Sequence, residues 1–573
     1  MTASVPHRPQ PRRVLGALAL LLALAVAVGA CAGLPQSGPV TSADTELPAG
    51  SEVSLFVPGP SPGAEPEEIV QGFLDAVTAG FGDDFGVARD FLAGPAVEDW
   101  RPGESTQIHV SSAPRVERTA TGAVEVSVDA VATVDERGRY IQAPVDAVFD
   151  AEMSLARNAA GEWRIVDLPN GILLPEASFS LAYSSTYLHF LTPDDQYFVL
   201  ETRWFPRENL ATAATNALLA GPSEWLEPGV RTAAPSGTRL RVDSVPVGTD
   251  GVATVDLTSA VLEAEVNDRA LLRAQIEATL ATAGDVREVR LAVGQQAFDT
   301  GSSLPELSVY PYSTPSSWLA IADGELMQVS EGEATMHPGA DLLGDELSSP
   351  ATGYGEDPPS VVIDGGDNLV TVPDFQSPPS VLVEGRDLLA PSIDRFGWIW
   401  TISQEEDQDP QMIAIQATGE RVDITAPWLA EGEVLALRIS RDGSRAGLIR
   451  EVAGEAVVEV AAVQRDTEGR PSQLADPVAV AQRLEDPSDL AWVGPTTLAV
   501  LATSDLEPSR AVHTVPLGAP HAALPVVEGA VRITAGRGDT SLLVTTEEGT
   551  IFERNGATWR AAHVGLEDPA LPG

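Results

Sequence analysis

The chain of 573 residues contains no lysine, so all 35 of its basic residues are arginines, set against 83 acidic ones for a formal net charge of −48. That lack excludes several reaction classes. There is no phosphate-anchoring P-loop lysine, no Schiff base for pyridoxal phosphate and no ATP-anchoring lysine of a kinase. Arginine stays protonated and cannot serve as an amine nucleophile. The acidic excess repels nucleic acid and anionic headgroups, so no nucleic-acid partner is expected. GC-rich codon usage, which favours Arg, Ala, Gly and Pro, is the plain explanation of the missing lysine. Cysteine is nearly absent too. Cys31 stands alone, and one chain can form no disulfide.

Catalytic patterns are also missing. After His7 the histidines are His109, His189, His337, His513, His521 and His563, scattered and without an HExxH or HxH motif, so a zinc site from neighbouring ligands is not expected. There is no GxSxG elbow, because Gly221-Pro222-Ser223-Glu224 lacks the second glycine. The acidic run Glu405-Glu406-Asp407-Gln408-Asp409 offers oxygen ligands, yet it lacks the glycine and the twelfth-position glutamate of an EF-hand loop. It reads as a solvated loop. Paired glycosidase carboxylates are set by space and not by sequence, and none is named. No catalytic residue, metal or cofactor is assigned.

What is present begins at the amino terminus. Residues 1–30 have the form of an export signal: Arg8, Arg12 and Arg13, then the 15-residue apolar run Val14 to Val28, then small residues. A membrane span needs about 20 residues. Val28-Gly29-Ala30-Cys31 resembles a lipobox, which implies cleavage before Cys31 and acylation of its thiol. Two or more acyl chains anchor a protein stably. The Arg12-Arg13 pair suggests twin-arginine export, although Gly16 interrupts the apolar stretch, so the export route stays open. Residues 31–63 then read as a tether rich in Pro, Gly and Ser.

Three folded regions follow, giving a multidomain expectation. Residues 64–178 read as an α+β domain similar to the NTF2-like cone. A helix from Pro66 places Ile69, Val70, Phe73, Leu74 and Val77 on one face, and a second helix covers about 84–93. Strands are expected at Val124–Val128, Tyr140–Phe149 and Glu162–Val166. Residues 183–301 read as α/β. Their strands lie near 187–190, 197–199, 252–257 and 289–293, with helices over Leu210–Leu218 and Asp268–Leu280. Residues 305–573 read as all-β. Strand-rich starts near Trp318, Ser360, Phe396, Val434, Leu490 and Ser541 are spaced by 36 to 56 residues, which suits a propeller of about six blades. Leu307–Tyr312 is the strand expected to close the ring. Trp398 and Trp400 read as core between blades.

The lipobox, the tether VPGPSPGAEPEEIVQGFLDA, the pattern ARDFLAGPAVEDW and the segments ALLAGP, AAPSGTRL, DGVATVDLT and RALLRAQIEATL together resemble the LpqB family of actinobacterial lipoproteins. The middle segments look like a GerMN domain. The resemblance implies an extracytoplasmic, lipid-anchored, non-enzymatic accessory of a two-component system of the MtrB–MtrA type. The implied partner is the extracytoplasmic domain of the sensor histidine kinase. Cell-wall glycan is an alternative partner for a binding scaffold, and a propeller-based glycan hydrolase is a further alternative.

Replacing Cys31 with Ala is expected to abolish incorporation of a labelled acyl group and to move the protein from the membrane to the soluble fraction. Full membrane retention without acylation would contradict the anchor.

Overall fold

A computed structural model describes residues 57–572, apart from 111–112, 302–305, 312–316, 356–357, 374–376, 406–407 and 537–540. The export signal, the lipobox and most of the tether lie outside the described residues. No described helix is long and apolar enough to cross a membrane.

The first helix, Pro66–Ala79, starts where its sequence supplies the signals. Pro66 needs no amide partner at this position, and Glu68 reaches back to accept from the Glu65 amide at 2.9 Å. Ile69, Val70, Phe73 and Val77 are buried against the sheet. The second helix is shorter than expected, a single turn at Gly86–Arg89. Asp84 and Phe85 hold left-handed backbone, with φ of 54° and 59°, which helical residues avoid. Phe85 accepts that strain because its ring packs edge-on against Phe81 and Trp100. The expected strand Tyr140–Phe149 is also broken, into Tyr140–Gln142 and Val148–Arg157. Pro144 and a left-handed Asp146 lie between the two pieces. The long strand Val124–Asp135 alternates buried and outward residues and organises the sheet. Pairing is antiparallel except for Ser105–His109 beside Ile172–Pro175.

The second domain opens with the hairpin Tyr183–Leu191 and Phe198–Pro206. The helix Leu210–Ala220 follows and stops at Gly221, as the Gly-Pro pair requires. Val252–Leu257, the helix Val266–Ala281 and the parallel strand Glu288–Val293 form a β-α-β unit. Ala253, Val255 and Leu257 meet Leu272, Ile276 and Leu280 in its core, all fully buried.

The third domain has six four-stranded blades: 317–336 completed by Glu567–Ala570, then 347–384, 392–423, 433–480, 484–523 and 530–564. The fourth blade gains an extra strand, Val478–Val480. Each innermost strand neighbours the next, and the sixth returns to the first, which makes the ring. The closing strand differs from expectation. Glu567–Ala570 pairs with Ser317–Ala322, whereas the described part of the expected closing strand, 307–311, bridges through Val309 to Phe198 in the second domain. Hydrogen bonding of the Phe198 amide to the Ser308 carbonyl at 2.9 Å decides this. The starts expected at Ser360, Phe396 and Ser541 fall on or just before the second strand of their blades, because an inner strand and its neighbour share the same apolar pattern.

Blades three and four are pinned through Asp394. Its carboxylate accepts from Arg465 at 2.5 Å, the Trp400 indole at 2.9 Å, and the amides of Phe396 and Trp398. Trp398 and Trp400 lie in the core between these blades, as expected. Asp394→Ala leaves the Arg465 guanidinium buried without its counter-charge. It is expected to destabilise the protein by about 3–5 kcal/mol in urea unfolding. A loss below about 1 kcal/mol would contradict this role.

Candidate functional site

Arginine does the joining where the three domains meet. In the turn after the innermost strand of blade four, Arg445 pairs with Asp442 at 2.6 Å. The same guanidinium donates to the Leu200 carbonyl of the second domain at 3.2 Å and to the Pro495 carbonyl at 2.6 Å. Arg203 of the second domain pairs with Glu201 at 2.9 Å. It also donates to Ser223 at 3.2 Å and to the Arg137 carbonyl of the first domain at 2.8 Å. Arg395 of blade three holds Asp194 through both carboxylate oxygens, at 2.8 and 2.9 Å, and reaches the Asp442 carbonyl at 2.9 Å. Arg483 of the propeller donates to the carbonyls of Ala143 and Ala130 in the first domain, at 3.1 and 3.0 Å. The Trp204 indole donates to the Gly518 carbonyl at 2.8 Å. Side-chain bulk is excluded at Gly229, where a Cβ would stand 2.7 Å from the Ser444 carbonyl.

Enclosed by these contacts is a cavity of about 380 Å³ with walls from all three domains. Tyr140 and Gln142 come from the first, Thr202 and Trp225 from the second, Val480 and Leu517 from the propeller. Its polar floor is Glu201, Ser223 and Arg445. Ser223 donates its hydroxyl to Glu201, and its amide does likewise at 3.2 Å. Arg203 already neutralises that carboxylate, and among the described residues the Ser223 hydroxyl bonds Arg203 and Glu201, which ties the pair to the Ser223 turn. Burial holds the Tyr140 phenol above its usual range; the Glu176 charge adds to this and Arg483 opposes it. For Asp442 the largest influence, burial, raises the pKa. Arg445, Ser440 and the Ser444 amide outweigh it, so the carboxyl sits below its ordinary range.

Sequence reading missed this junction. Its partners lie 201 residues apart for Arg395 and Asp194, and 245 apart for Arg445 and Leu200. A faint signal existed in the paired turns Ser392-Ile393-Asp394-Arg395 and Ser440-Arg441-Asp442-Gly443. Of the residues singled out earlier, Val28, Gly29, Ala30 and Cys31 lie outside the described residues, as do Glu406 and Asp407. Glu405 accepts from the Gln408 side chain at 2.7 Å. No described group of three or more His, Cys, Asp or Glu could hold a metal ion. The histidines are less scattered than their spacing suggests: the rings of His513 and His521 lie 5.6 Å apart, and His521 Nδ1 lies 3.2 Å from the Gln142 amide of the first domain.

Comparison with known proteins gives three matches in chain order. Residues 59–180 match the family model "Lipoprotein LpqB, N-terminal domain", residues 187–298 match "Sporulation and spore germination", and residues 324–572 match "Lipoprotein LpqB beta-propeller domain". The chain is 26% identical to lipoprotein LpqB of Streptomyces avermitilis, covering 96% of this chain and 97% of that one. It is 25% identical to that of Thermobifida fusca over the same shares. Among solved structures, the first GerMN domain of the sporulation protein GerM from Bacillus subtilis is 23% identical, with a TM-score of 0.17, and covers 20% of this chain and 86% of that domain. TolB from Acinetobacter baumannii is 12% identical with a TM-score of 0.36, covering 45% of this chain and 66% of that one. At those TM-scores neither bears on the fold, which rests on the strand pairing above.

Burial lowers the pKa of His109, His189, His337, His513 and His521, that of His189 to about 4. The native state therefore keeps these rings neutral at a pH where the unfolded chain takes up protons. Their contribution to stability is complete above about pH 6.5 and is lost as pH falls through the lowered values. The urea midpoint is expected to drop between pH 7.5 and pH 4.5, and His189→Gln is expected to shrink that drop. An unchanged drop in the variant would contradict the assignment to His189.

Proposed function

We propose, on the premise that the chain belongs to the LpqB lipoprotein family, that it is a membrane-anchored, extracytoplasmic and non-enzymatic accessory of a two-component sensor kinase of the MtrB–MtrA kind. The observation that carries this reading is the interlocked junction. Three domains joined by buried guanidinium pairs move as one body, so a contact made by the propeller is referred rigidly to the rest of the chain. An acyl anchor at Cys31 would confine that body to the kinase's own membrane. Confinement raises effective concentration, so a weak contact suffices. Unequal affinity for two kinase conformations then shifts their balance.

The partner face we assign is the propeller mouth away from the junction. Toward the second domain the junction uses turns that follow innermost strands, such as Asp442-Gly443 and Pro495-Thr496, while Arg483, just before the innermost strand of blade five, reaches the first domain. Toward the other end of the innermost strands lie Ser349, Pro391, Arg532 and Asp568, which line a small pocket. Arg532 is partly exposed and pairs with Asp568 at 3.0 Å. Beside it an open cleft is lined by Leu435, Asp486, Arg510 and Val531. A wall-glycan surface would need exposed aromatic rings. Among the described residues Tyr187 is the only aromatic in the exposed apolar set, which favours the protein partner.

The test is surface binding between the purified full chain and the kinase's extracytoplasmic domain. Saturable binding is expected, weakened at least tenfold by Arg532→Glu in a protein that melts like the parent. Absence of binding, together with retention on purified wall glycan, would overturn the reading.

A further inference from the structure

We propose that the junction cavity is a binding site for a single-chain amphiphile, an unbranched apolar tail ending in an oxygen acceptor. This inference is independent of the kinase reading. The volume of about 380 Å³ falls in the range of small-molecule sites, about 300–1,000 Å³, and such sites favour domain junctions. The walls are aliphatic. Val460, Val480, Val515 and Leu517 come from blades four and five, and Leu200 with Trp225 from the second domain. Ala479, Gly518 and Ala519 add wall without side-chain bulk, which suits a slender chain better than a branched ring system.

The head group follows from the donors. Arg445 lines the cavity, and its side chain is only 1% exposed. Its two terminal nitrogens are engaged by Asp442 and by the Leu200 and Pro495 carbonyls. Its Nε is buried without a hydrogen-bond partner. Buried donors of this kind are nearly always satisfied; the Nε is not itself exposed to the cavity, so an oxygen acceptor brought by a ligand meets that need by drawing the guanidinium toward it. The one carboxylate on the floor, Glu201, is held by Arg203 and Ser223, so it does not oppose an oxygen-bearing head. Because the walls belong to three domains, a molecule bound there favours their docked arrangement and raises stability by mass action.

The probe is dodecanoate below its micellar concentration, titrated calorimetrically into the full chain carrying Cys31→Ser so that no covalent acyl group competes. One-to-one saturable binding is expected, with a melting temperature that rises with ligand concentration. A bromine-substituted chain is expected to quench tryptophan emission, and Trp225→Phe is expected to remove most of that quenching. Ala479→Trp and Ala519→Trp fill the mouth, and each is expected to weaken binding at least tenfold in a protein that melts like the parent. Absence of saturable binding, or binding unmoved by both tryptophan variants, would overturn the site. Equal affinity for a dodecyl chain ending in a trimethylammonium group would overturn the acceptor assignment.

Discussion

A guanidinium cannot be discharged under the conditions in which proteins fold. Burying one obliges the surrounding chain to supply acceptors, and this constraint shapes the whole molecule. Arg445 shows it most directly. Its charge is met by Asp442 three residues earlier, and its two terminal nitrogens also reach the Leu200 and Pro495 carbonyls. The turn of blade four is thereby committed to a strand of another domain. Arg203, Arg395 and Arg483 repeat the arrangement at neighbouring points. Lysine, with one compact charge on a flexible stem, could not bridge several carbonyls at once in a fixed plane. A lysine-free composition is thus compatible with an unusually stitched junction, although codon usage remains its simplest origin.

Buried ion pairs contribute little net stability compared with apolar residues of the same shape, because desolvation offsets most of the attraction. Their effect is on arrangement. A displaced domain would leave charges buried and unmet, so alternative dockings are strongly disfavoured. Apolar packing supplies the stability, in the core that joins the second domain's strands to its helices and in the clusters between successive blades. The arginine pairs choose which packing is adopted. That division explains how three domains can form one body around a cavity without closing it.

The parts of the fold legible in the sequence were those governed by local periodicity. Period two pointed to Val252–Leu257, helical spacing to a helix from Pro66 through Val77, and recurrent strand clusters to about six blades. The errors arose where tertiary contacts overrode the local pattern. Phe85 took a left-handed backbone as its ring packed on Phe81 and Trp100, which delayed the start of a helix that periodicity places from about residue 84. Leu307–Tyr312 and Glu567–Ala570 are both short and lie near the ends of the propeller region. The pairing of Leu319 with Ala570 and of Ile321 with Glu567, and the bond from Phe198 to Ser308, tell which closes the ring. The candidate site was illegible because its partners are hundreds of residues apart, and because Asp442 or Arg445 in a polar turn looks like any solvated Asp-Gly hairpin. The resemblance that suggested the family rested on separate segments in order, and it was the matched domains in that same order that showed it.

Held by the junction, the described residues should unfold as one cooperative body. Differential scanning calorimetry of the full chain decides between one body and three, since a two-state unit has equal calorimetric and van't Hoff enthalpies. A single transition with equal enthalpies is predicted. Two or three separable transitions, each with the enthalpy of one domain, would contradict it.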